Sequence, residues 1–491
     1  MPGALPEDAT PSYGELTELV RIKQSVIDEQ AATIAELQAR IAELEGRLAD
    51  LERRLGRNPR NSSMPPSAEG LNKPPVQNRA ERRAAKRKPG KQPGADGKHL
   101  TQVADPDEIV FHGPGLCEGC GRDLAEGELV DVETRQVFEL PHLGPYVIEH
   151  RLERRRCHCG KEQKASPPPE ATAPACYGPK VRALACYLAV YQHLPYERMA
   201  ELFADVLGIE VSVGALAAMV ADAGGRLGLF LEVTKDLLRA APAVHFDETG
   251  ARVAGSLHWV HVASNALLTL LECHKPRGTK AIDEIAVMAK MAGVAVHDGW
   301  KPYRTYDVVH ALCNAHHVRE LEAIGAAEHQ SWASEMVELL YDAREVVERA
   351  KAAGKDHLSA STLRRLRCSY DALVARGRAV NPAVTEHKRH GIDKDAHNLL
   401  VRLETYAEDV LRFASNFDVS WSNNQAERDV RLVKLQQKIS GCWRTLEGAR
   451  THCAIRSYIS TMKKQRYDVL TGLGELFVGE AWLPAPVIDS S

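Results

Sequence analysis

The segment between residues 243 and 313 most constrains what this chain can fold into, because it alternates short β-type runs with turns at fixed places. Ala243-Val-His-Phe-Asp-Glu-Thr-Gly, Leu257-His-Trp-Val-His-Val-Ala and Leu267-Leu-Thr-Leu-Leu-Glu carry the apolar and aromatic residues of strands. Ala254-Gly-Ser and Ser264-Asn supply the turns between them. The pattern predicts an antiparallel meander with an acid, Asp247, inside its first strand. A helix-like stretch from Thr279 to Met291 follows. Gly293-Val-Ala-Val-His then runs straight into Asp298, and Asp307-Val-Val-His-Ala-Leu-Cys leads back into helix.

Three strands, a helix, a strand ending in an acid, a further strand and then helices is the element order of the ribonuclease H fold. In that fold the first and fourth strands are neighbours, so Asp247 and Asp298 come together although 51 positions separate them. Paired carboxylates suit the hard cations Mg²⁺ or Mn²⁺, and two such ions can serve phosphodiester transfer. A third carboxylate is expected, and Glu427 in Trp421-Ser-Asn-Asn-Gln-Ala-Glu-Arg-Asp-Val-Arg-Leu-Val-Lys is the candidate. Glu427, Arg431, Lys434 and Lys438 recur at helical spacing, which reads as a metal ligand in a row with DNA-holding cations; an exposed helix laced with salt bridges has the same pattern. Trp443 and Arg444 beyond this helix are candidates to stack on a splayed base and hold a phosphate, or for the tryptophan to be core. Cys313 and His316 form half of a metal site without further partners in the sequence, which favours a packing or site-shaping role.

The amino-terminal part is of a different kind. Ile27, Ile34, Ile41, Leu48 and Leu55 at a, with Leu37, Leu44 and Leu51 at d, make a coiled-coil seam favouring a parallel dimer. Arg40 and Arg47 stand five residues before Glu45 and Glu52, the reach of interchain g-to-e pairs. A single solvated helix is the alternative. Between Lys73 and Lys98 nine basic residues face two acidic ones, a net +7 in Pro- and Gly-rich sequence; this predicts a disordered arm suited to DNA phosphates, or a plain linker. The whole chain has 63 basic and 66 acidic residues, so any phosphate contact must come from such clusters. Residues 427–466 are a second one, ten basic against three acidic, which leaves the rest of the chain at −17.

Cys117-Glu-Gly-Cys120-Gly has the spacing of a zinc knuckle, and Cys157-His-Cys159-Gly160 would complete a four-thiolate structural Zn²⁺ site. A strand-like run around Val132 to Ile148 lies between the two halves. The second pair is one residue shorter than usual, so His158 is an alternative ligand. Arg151 and Arg154 to Arg156 beside it point to either DNA contact or a structural finger. Leu194 to Gly224 has the layout of a helix-turn-helix: helix from Tyr196 to Leu207, turn at Gly208, second helix after Ser212. That second helix, Val213-Gly-Ala-Leu-Ala-Ala-Met-Val, offers almost nothing that could read base edges, which favours packing. No apolar stretch is long enough for a membrane helix and the first residues lack a signal-peptide pattern, so a cytoplasmic, nucleoid-associated protein is expected.

His245-Phe-Asp-Glu-Thr-Gly, His297-Asp-Gly-Trp-Lys-Pro-Tyr, Leu312-Cys-Asn-Ala-His-His-Val-Arg-Glu-Leu and Ser422-Asn-Asn-Gln-Ala-Glu-Arg-Asp-Val-Arg together resemble the DDE transposases of the insertion-sequence 66 family. The resemblance extends to the zipper, to Asn61-Ser-Ser-Met-Pro-Pro-Ser67 and to the cysteine module. It implies a catalytic triad of Asp247, Asp298 and Glu427, with Asn424 and Arg428 flanking the glutamate and Arg431, Lys434 and Lys438 as DNA contacts. It also implies terminal inverted repeats and target DNA as substrates, and accessory proteins of the same element as possible partners. Ser422 departs from the Asp of many relatives.

The expected organisation is therefore multidomain α/β: a coiled-coil dimerisation segment (1–56), a basic disordered linker (57–105), a zinc-finger-like module (106–165), a helical, helix-turn-helix-like segment (166–240), a ribonuclease H-like catalytic domain (241–475) with a helical insertion at about 326–398, and a tail (476–491). The expected activity is cleavage at insertion-sequence ends and strand transfer. The alternatives are a ribonuclease H-like nuclease that does not join, and a transposase-derived DNA-binding regulator.

Overall fold

The computed structural model describes residues 100–382 and 392–485, apart from 126, 142 and 172, together with scattered positions between 14 and 41. Of the zipper, Ile34, Leu37 and Ile41 are helical and more than half exposed, while Ile27, Leu44, Leu48, Leu51 and Leu55 lie outside the described residues, as do the basic arm and the last six residues. The chain divides into two compact units, residues 1–70, 152–199 and 213–491 in one and 71–151 with 200–212 in the other.

In the smaller unit the backbone turns at Cys117, where the Gly121 amide donates to the Cys117 carbonyl at 2.8 Å and Gly121 takes a φ of +74°. Leu116 and Asp123 close that turn with an isolated bridge. The expected strand around Val132 to Ile148 does not form: none of the described residues of this run belongs to a strand, and Val137, Tyr146 and Val147 are largely exposed. A β-type composition makes a strand only where a second strand meets its amides, and no neighbour does so among the described residues of this unit.

From residue 152 the larger unit continues with a hairpin, β1 (Arg154–Arg156) and β2 (Glu162–Lys164), whose connecting turn carries Cys157 and Cys159. Helices α1 (Pro179–Cys186), α3 (Val213–Gly225) and α4 (Gly228–Ala240) follow in this unit, while α2 (Tyr196–Leu207) starts in it and runs on into residues 200–212 of the smaller one. Gly208, at φ +62°, ends α2 where the turn was expected. Helix α3 buries Leu216, Met219, Val220 and Ala223, the apolar face that its sequence offers, so it is a packing helix. Among the described residues no single helix is long and apolar enough to cross a membrane.

Five strands make the central sheet: β3 (Ala243–Val253), β4 (Ser256–Ser264), β5 (Thr269–His274), β6 (Val294–His297) and β7 (Val309–Leu312), in the order β5-β4-β3-β6-β7. The first three are antiparallel to one another, and β6 and β7 run parallel to β3. Ten of the eleven residues of β3 are buried, so both faces of the sheet are covered. On one face Val244, Phe246 and Ala263 pack with Leu238 of α4 and with Ile282 and Ile285 of α5 (Thr279–Ile285). The expected helix stops at Ile285 because Ala286 turns left-handed, φ +58°, and a 3₁₀ turn completes the span. Gly293 fits at the foot of β6 because a Cβ there would stand 2.1 Å from the Ala241 carbonyl oxygen.

On the other face Val260, Val262 and Leu271 meet Ala426, Val430 and Val433 of α11 (Asn424–Ser440) and Cys453 of α12 (Leu446–Lys464). Helix α12 also closes the free edge of β5: the Leu271 and Thr269 amides donate to Ser457 Oγ at 2.8 Å and Thr461 Oγ1 at 3.1 Å. An edge strand so covered has no open ladder for another chain to pair with. Between β7 and α11 the chain builds a helical layer of α6 (Asn314–Gly325), α7 (Ser331–Ala352), α8 (Ala360–Val380), α9 (Ile392–Thr405) and α10 (Ala407–Ser415) around Trp332, Leu340, Tyr370 and Leu400. The last described helix is α13 (Val469–Val478), packed on α1 and α12 through Leu473 and Leu476.

Candidate active site

The pairing of β3 with β6 brings two acids near each other. Ala243 faces Val294, Val244 faces Ala295 and His245 faces Val296, an offset of 51 throughout. Asp247 and Asp298 have the same offset and follow the last of these pairs by two residues, near enough to each other for the Asp298 charge to act on the Asp247 carboxyl. Asp247 lies within the strand and is buried; Asp298 sits just past the end of β6, half-buried. Glu427 comes to the same place from the first turn of α11 and is 2% exposed.

One residue ties that helix to the strand. Asn423, immediately before α11 and buried, donates from Nδ2 to the Phe246 carbonyl at 2.7 Å, and its Oδ1 lies 3.0 Å from His245 Nδ1. Its own amide donates to Cys313 Sγ at 3.0 Å. Asn423 therefore joins the start of α11, strand β3 and the residue that precedes α6. The Asp298 turn is fixed in the same manner, with Trp300 N donating to Asp298 Oδ1 at 2.8 Å and Gly299 N to His297 Nδ1 at 2.9 Å.

The electrostatics follow from this crowding. Burial, then Glu248, then Asp298, with Glu427 contributing, hold the Asp247 carboxyl well above the usual carboxylate range. Burial foremost, then Glu248, pushes Asp298 up to about 7. Asp247 Oδ1 accepts from the Glu248 amide at 2.9 Å, while Asp247 Oδ2 and Glu427 Oε1 are buried without a hydrogen-bond donor. Leaving buried acceptors unanswered is costly, and like charges gathered together add to the cost. Divalent cations would answer both, so the carboxylate set fits hard-ion binding.

Glu248 points away from this set into a brace that the sequence had not singled out. Arg277 donates to Glu248 Oε1 at 2.6 and 3.0 Å, and the Tyr303 hydroxyl donates to Oε2 at 2.5 Å. The Arg277 guanidinium lies over the rings of both Trp259 and Trp300, at 4.5 and 4.3 Å. An arginine, two tryptophans and a glutamate that meet from four places in the chain leave no local signal.

The basic residues of α11 divide into two groups. Arg428, Arg431 and Lys438 are exposed, and Arg431 comes within 3.5 Å of Glu427 Oε2. Lys434 turns instead to the sheet and donates to the Gly250 carbonyl at 2.6 Å. Glu427 and Lys434 thus lie on the packed side of the helix, and the expected four-residue row is not a single exposed face. Trp443 is 8% exposed and packs with Val253, Val260 and Cys453, its backbone paired to Arg252 and Ala254. A base could reach it only by displacing that core, so the structure gives it the packing role; its neighbour Arg444 is exposed.

Cys313 and His316, an apparent half-site in sequence, meet Glu427: one ligand atom from each lies within 4.8 Å of the other two, and all three residues are buried. This is the one group of three or more donors so gathered among the described residues. Burial pushes the Cys313 thiol up to about 12 and His316 down to about 4. Cys117, Cys120, Cys157 and Cys159 lie on two separate turns, Cys117 partly exposed and the others exposed. Backbone hydrogen bonds from Gly119 and Cys120 lower the Cys117 thiol, and the same from Cys159 lowers Cys157. Amides aimed at sulfur favour the thiolate, which is the form a zinc ion binds.

Among comparisons with known proteins, residues 19–101 match a family of unknown function (DUF6444). No curated protein matches the chain. Residues 174–451 match the family described as "Transposase IS66 family", a span that includes Asp247, Asp298 and Glu427. That match covers more than half of the sequence, and the chain belongs to the IS66 family of transposases.

Proposed function

We propose that this transposase cuts DNA at the ends of its insertion sequence and joins them to target DNA by DDE chemistry, with Asp247, Asp298 and Glu427 as the three carboxylates. The observation that carries the reading is the shared offset of 51 that brings Asp247 near Asp298, beside a glutamate held in reach by Asn423. The sheet order, three antiparallel strands followed by two parallel to the first, supports a ribonuclease H-like core. The helical layer between β7 and α11 then reads as an insertion in that core.

Asp247, Asp298 and Glu427 would hold Mg²⁺ or Mn²⁺, whose contribution when bound is Lewis-acid stabilisation of charge on the phosphate and activation of the attacking oxygen. The brace of Glu248, Arg277 and Tyr303 keeps β3 and the Asp298 loop from moving apart, and the hydrogen bonds of Asn423 keep Glu427 aimed at them. A water oxygen attacks the phosphorus at the element end, the P–O3′ bond breaks, and a 3′-hydroxyl is released. That hydroxyl oxygen then attacks a target phosphate, forming one P–O bond as another breaks. No protein side chain becomes covalently attached, so neither Ser nor Tyr is required as nucleophile.

Around this core, residues 1–56 serve dimerisation, the 73–98 arm and the exposed Arg428, Arg431, Lys438 and Arg444 hold DNA backbone, and the four cysteines of the 106–165 module bind a structural Zn²⁺. A paired-end assay with oligonucleotide substrates and Mg²⁺ tests the catalytic assignment. Asp298→Ala is expected to lose both cleavage and joining while still shifting end DNA in a gel. Cleavage or joining by Asp298→Ala at the parent rate overturns the assignment, and cleavage without joining by the parent protein reduces the activity to that of a nuclease.

A further inference from the structure

We infer that Cys313, His316 and Glu427 form a second, chemically different ion site, one for a thiolate-binding divalent ion of the Zn²⁺ class, and that its occupancy takes Glu427 away from the hard-ion site. The inference rests on the reading of Glu427 as a catalytic carboxylate.

The donor set has the composition that borderline ions select: one sulfur, one imidazole nitrogen and one carboxylate oxygen. Cys313 immediately precedes α6 and His316 lies in its first turn, a three-residue spacing that puts both on one side of the helix start. Glu427 reaches them from α11, with His316 Nδ1 3.7 Å from Glu427 Oε1. Ligands about 2.1 Å from a tetrahedral ion stand about 3.4 Å apart, so a small inward movement closes the set. The polar atoms are also unclaimed: both His316 ring nitrogens and Glu427 Oε1 are buried without a hydrogen-bond partner, and His316 is 3% exposed. A buried imidazole with neither nitrogen answered is rare in a folded protein, and an ion supplies the missing partner.

The surroundings suit a metal thiolate. The Asn423 amide already donates to Cys313 Sγ at 3.0 Å, the kind of outer hydrogen bond that steadies a ligating sulfur. One thiolate, one carboxylate and a neutral imidazole carry −2, which a divalent ion balances; binding releases the Cys313 thiol proton to solvent. Three protein ligands leave a fourth position open, so the site exchanges its ion more readily than a closed four-cysteine centre. Glu427 is the residue shared between the two uses. Zn²⁺ at Cys313 and His316 and Mg²⁺ at Asp247 and Asp298 therefore compete for one carboxylate, and the transposase becomes sensitive to free zinc.

Cobalt is the probe, because Co²⁺ bound to sulfur gives a near-ultraviolet charge-transfer band that grows with the number of thiolates. The full chain with Cys117→Ser, Cys120→Ser, Cys157→Ser and Cys159→Ser is expected to bind one Co²⁺ with a one-thiolate band. Adding Cys313→Ser should abolish that band, and His316→Gln should weaken binding at least about tenfold. Absence of any thiolate band in the four-serine protein, or its survival in Cys313→Ser, overturns the site. If the four-serine protein does not fold, ¹¹³Cd NMR of the parent chain decides: a resonance at the one-sulfur position supports the site, and none there overturns it. The competition is read separately, as the Zn²⁺ concentration that halves Mg²⁺-dependent cleavage, which Cys313→Ser should raise about tenfold or more; no change overturns the competition. Neither spectrum depends on activity. A Glu427→Ala protein that still cleaves would defeat the catalytic reading, and the cobalt band of the parent sulfur would still judge the ion site.

Discussion

Cysteines serve two regions of this chain in opposite ways. In one, Cys117 and Cys120 sit on a tight turn and Cys157 and Cys159 on another, three of the four exposed, and each pair is brought together by a few residues of local sequence. In the other, Cys313 is 1% exposed and meets the third member of its group, Glu427, across 114 positions of sequence. The difference separates sites made by a turn from sites made by a fold. A turn site is written in spacing and asks little of the rest of the protein. A fold site depends on every packed residue between its members, and changes in the core reach it.

The largest expected effect tests that dependence at two adjacent residues. Trp443→Ala removes a buried indole packed between β3, β4 and α12, and a loss of about 3–5 kcal/mol is expected in denaturant unfolding. Arg444→Ala, one residue on and exposed, should stay within about 0.5 kcal/mol. It should instead weaken binding of duplex DNA and lower the salt dependence of that binding by about one unit of slope. Equal stability losses in the two variants would erase the contrast between packed and exposed positions around α11.

Acid should sharpen the contrast next. His193 and His452 are buried with their rings 5.9 Å apart, close to Arg456. Burial first, then Arg456, takes His193 down to about 4, and burial first, then His193, takes His452 down to about 3. Both values lie below the ordinary 6.5, so the unfolded chain takes up protons that the folded one refuses. Stability is then whole above pH 6.5 and is lost as pH falls toward 4, by roughly 2 kcal/mol for such a group. The measurement is unfolding free energy against pH. His193→Gln with His452→Gln should flatten that slope, and an unchanged slope would show that the pair is not what acid attacks.

How far these regions were legible in the sequence follows from the same distinction. The strands at 243–274 and 294–312 and the turn at Gly208 could be read because apolar runs, turn residues and element order are local or sequential signals, and the nearness of Asp298 and Glu427 to Asp247 goes with that order. The run at 132–148 misled because strand composition was present while, among the described residues, a partner strand was not, and pairing is not a local property. The row from Glu427 to Lys438 was read with the right helical spacing but as a single face; which side of α11 packs depends on β3, whose Gly250 carbonyl takes Lys434. Arg277 had no sequence signal, and Tyr303 and Asn423 stood in recognisable motifs without a role, because the partners of all three, Glu248, the two tryptophans and Phe246, come from distant segments. Cys313 and His316 were visible as a pair and incomplete until the fold delivered Glu427.

The smallest effect comes from the turn sites and closes the comparison. Cys117→Ser in metal-free protein changes an exposed atom whose contacts are made by its own turn, so stability should move by no more than about 0.5 kcal/mol. With Zn²⁺ present the outcome should depend on the ion. If the four cysteines share one Zn²⁺, added zinc raises the melting temperature of the parent protein, and Cys117→Ser and Cys157→Ser each remove that rise, because a structural zinc site needs its full ligand set. Thermal unfolding with and without a zinc chelator reads this directly. Loss of the rise in Cys117→Ser but not in Cys157→Ser would mean that the two turns do not share an ion, and that His158 or another residue completes the first.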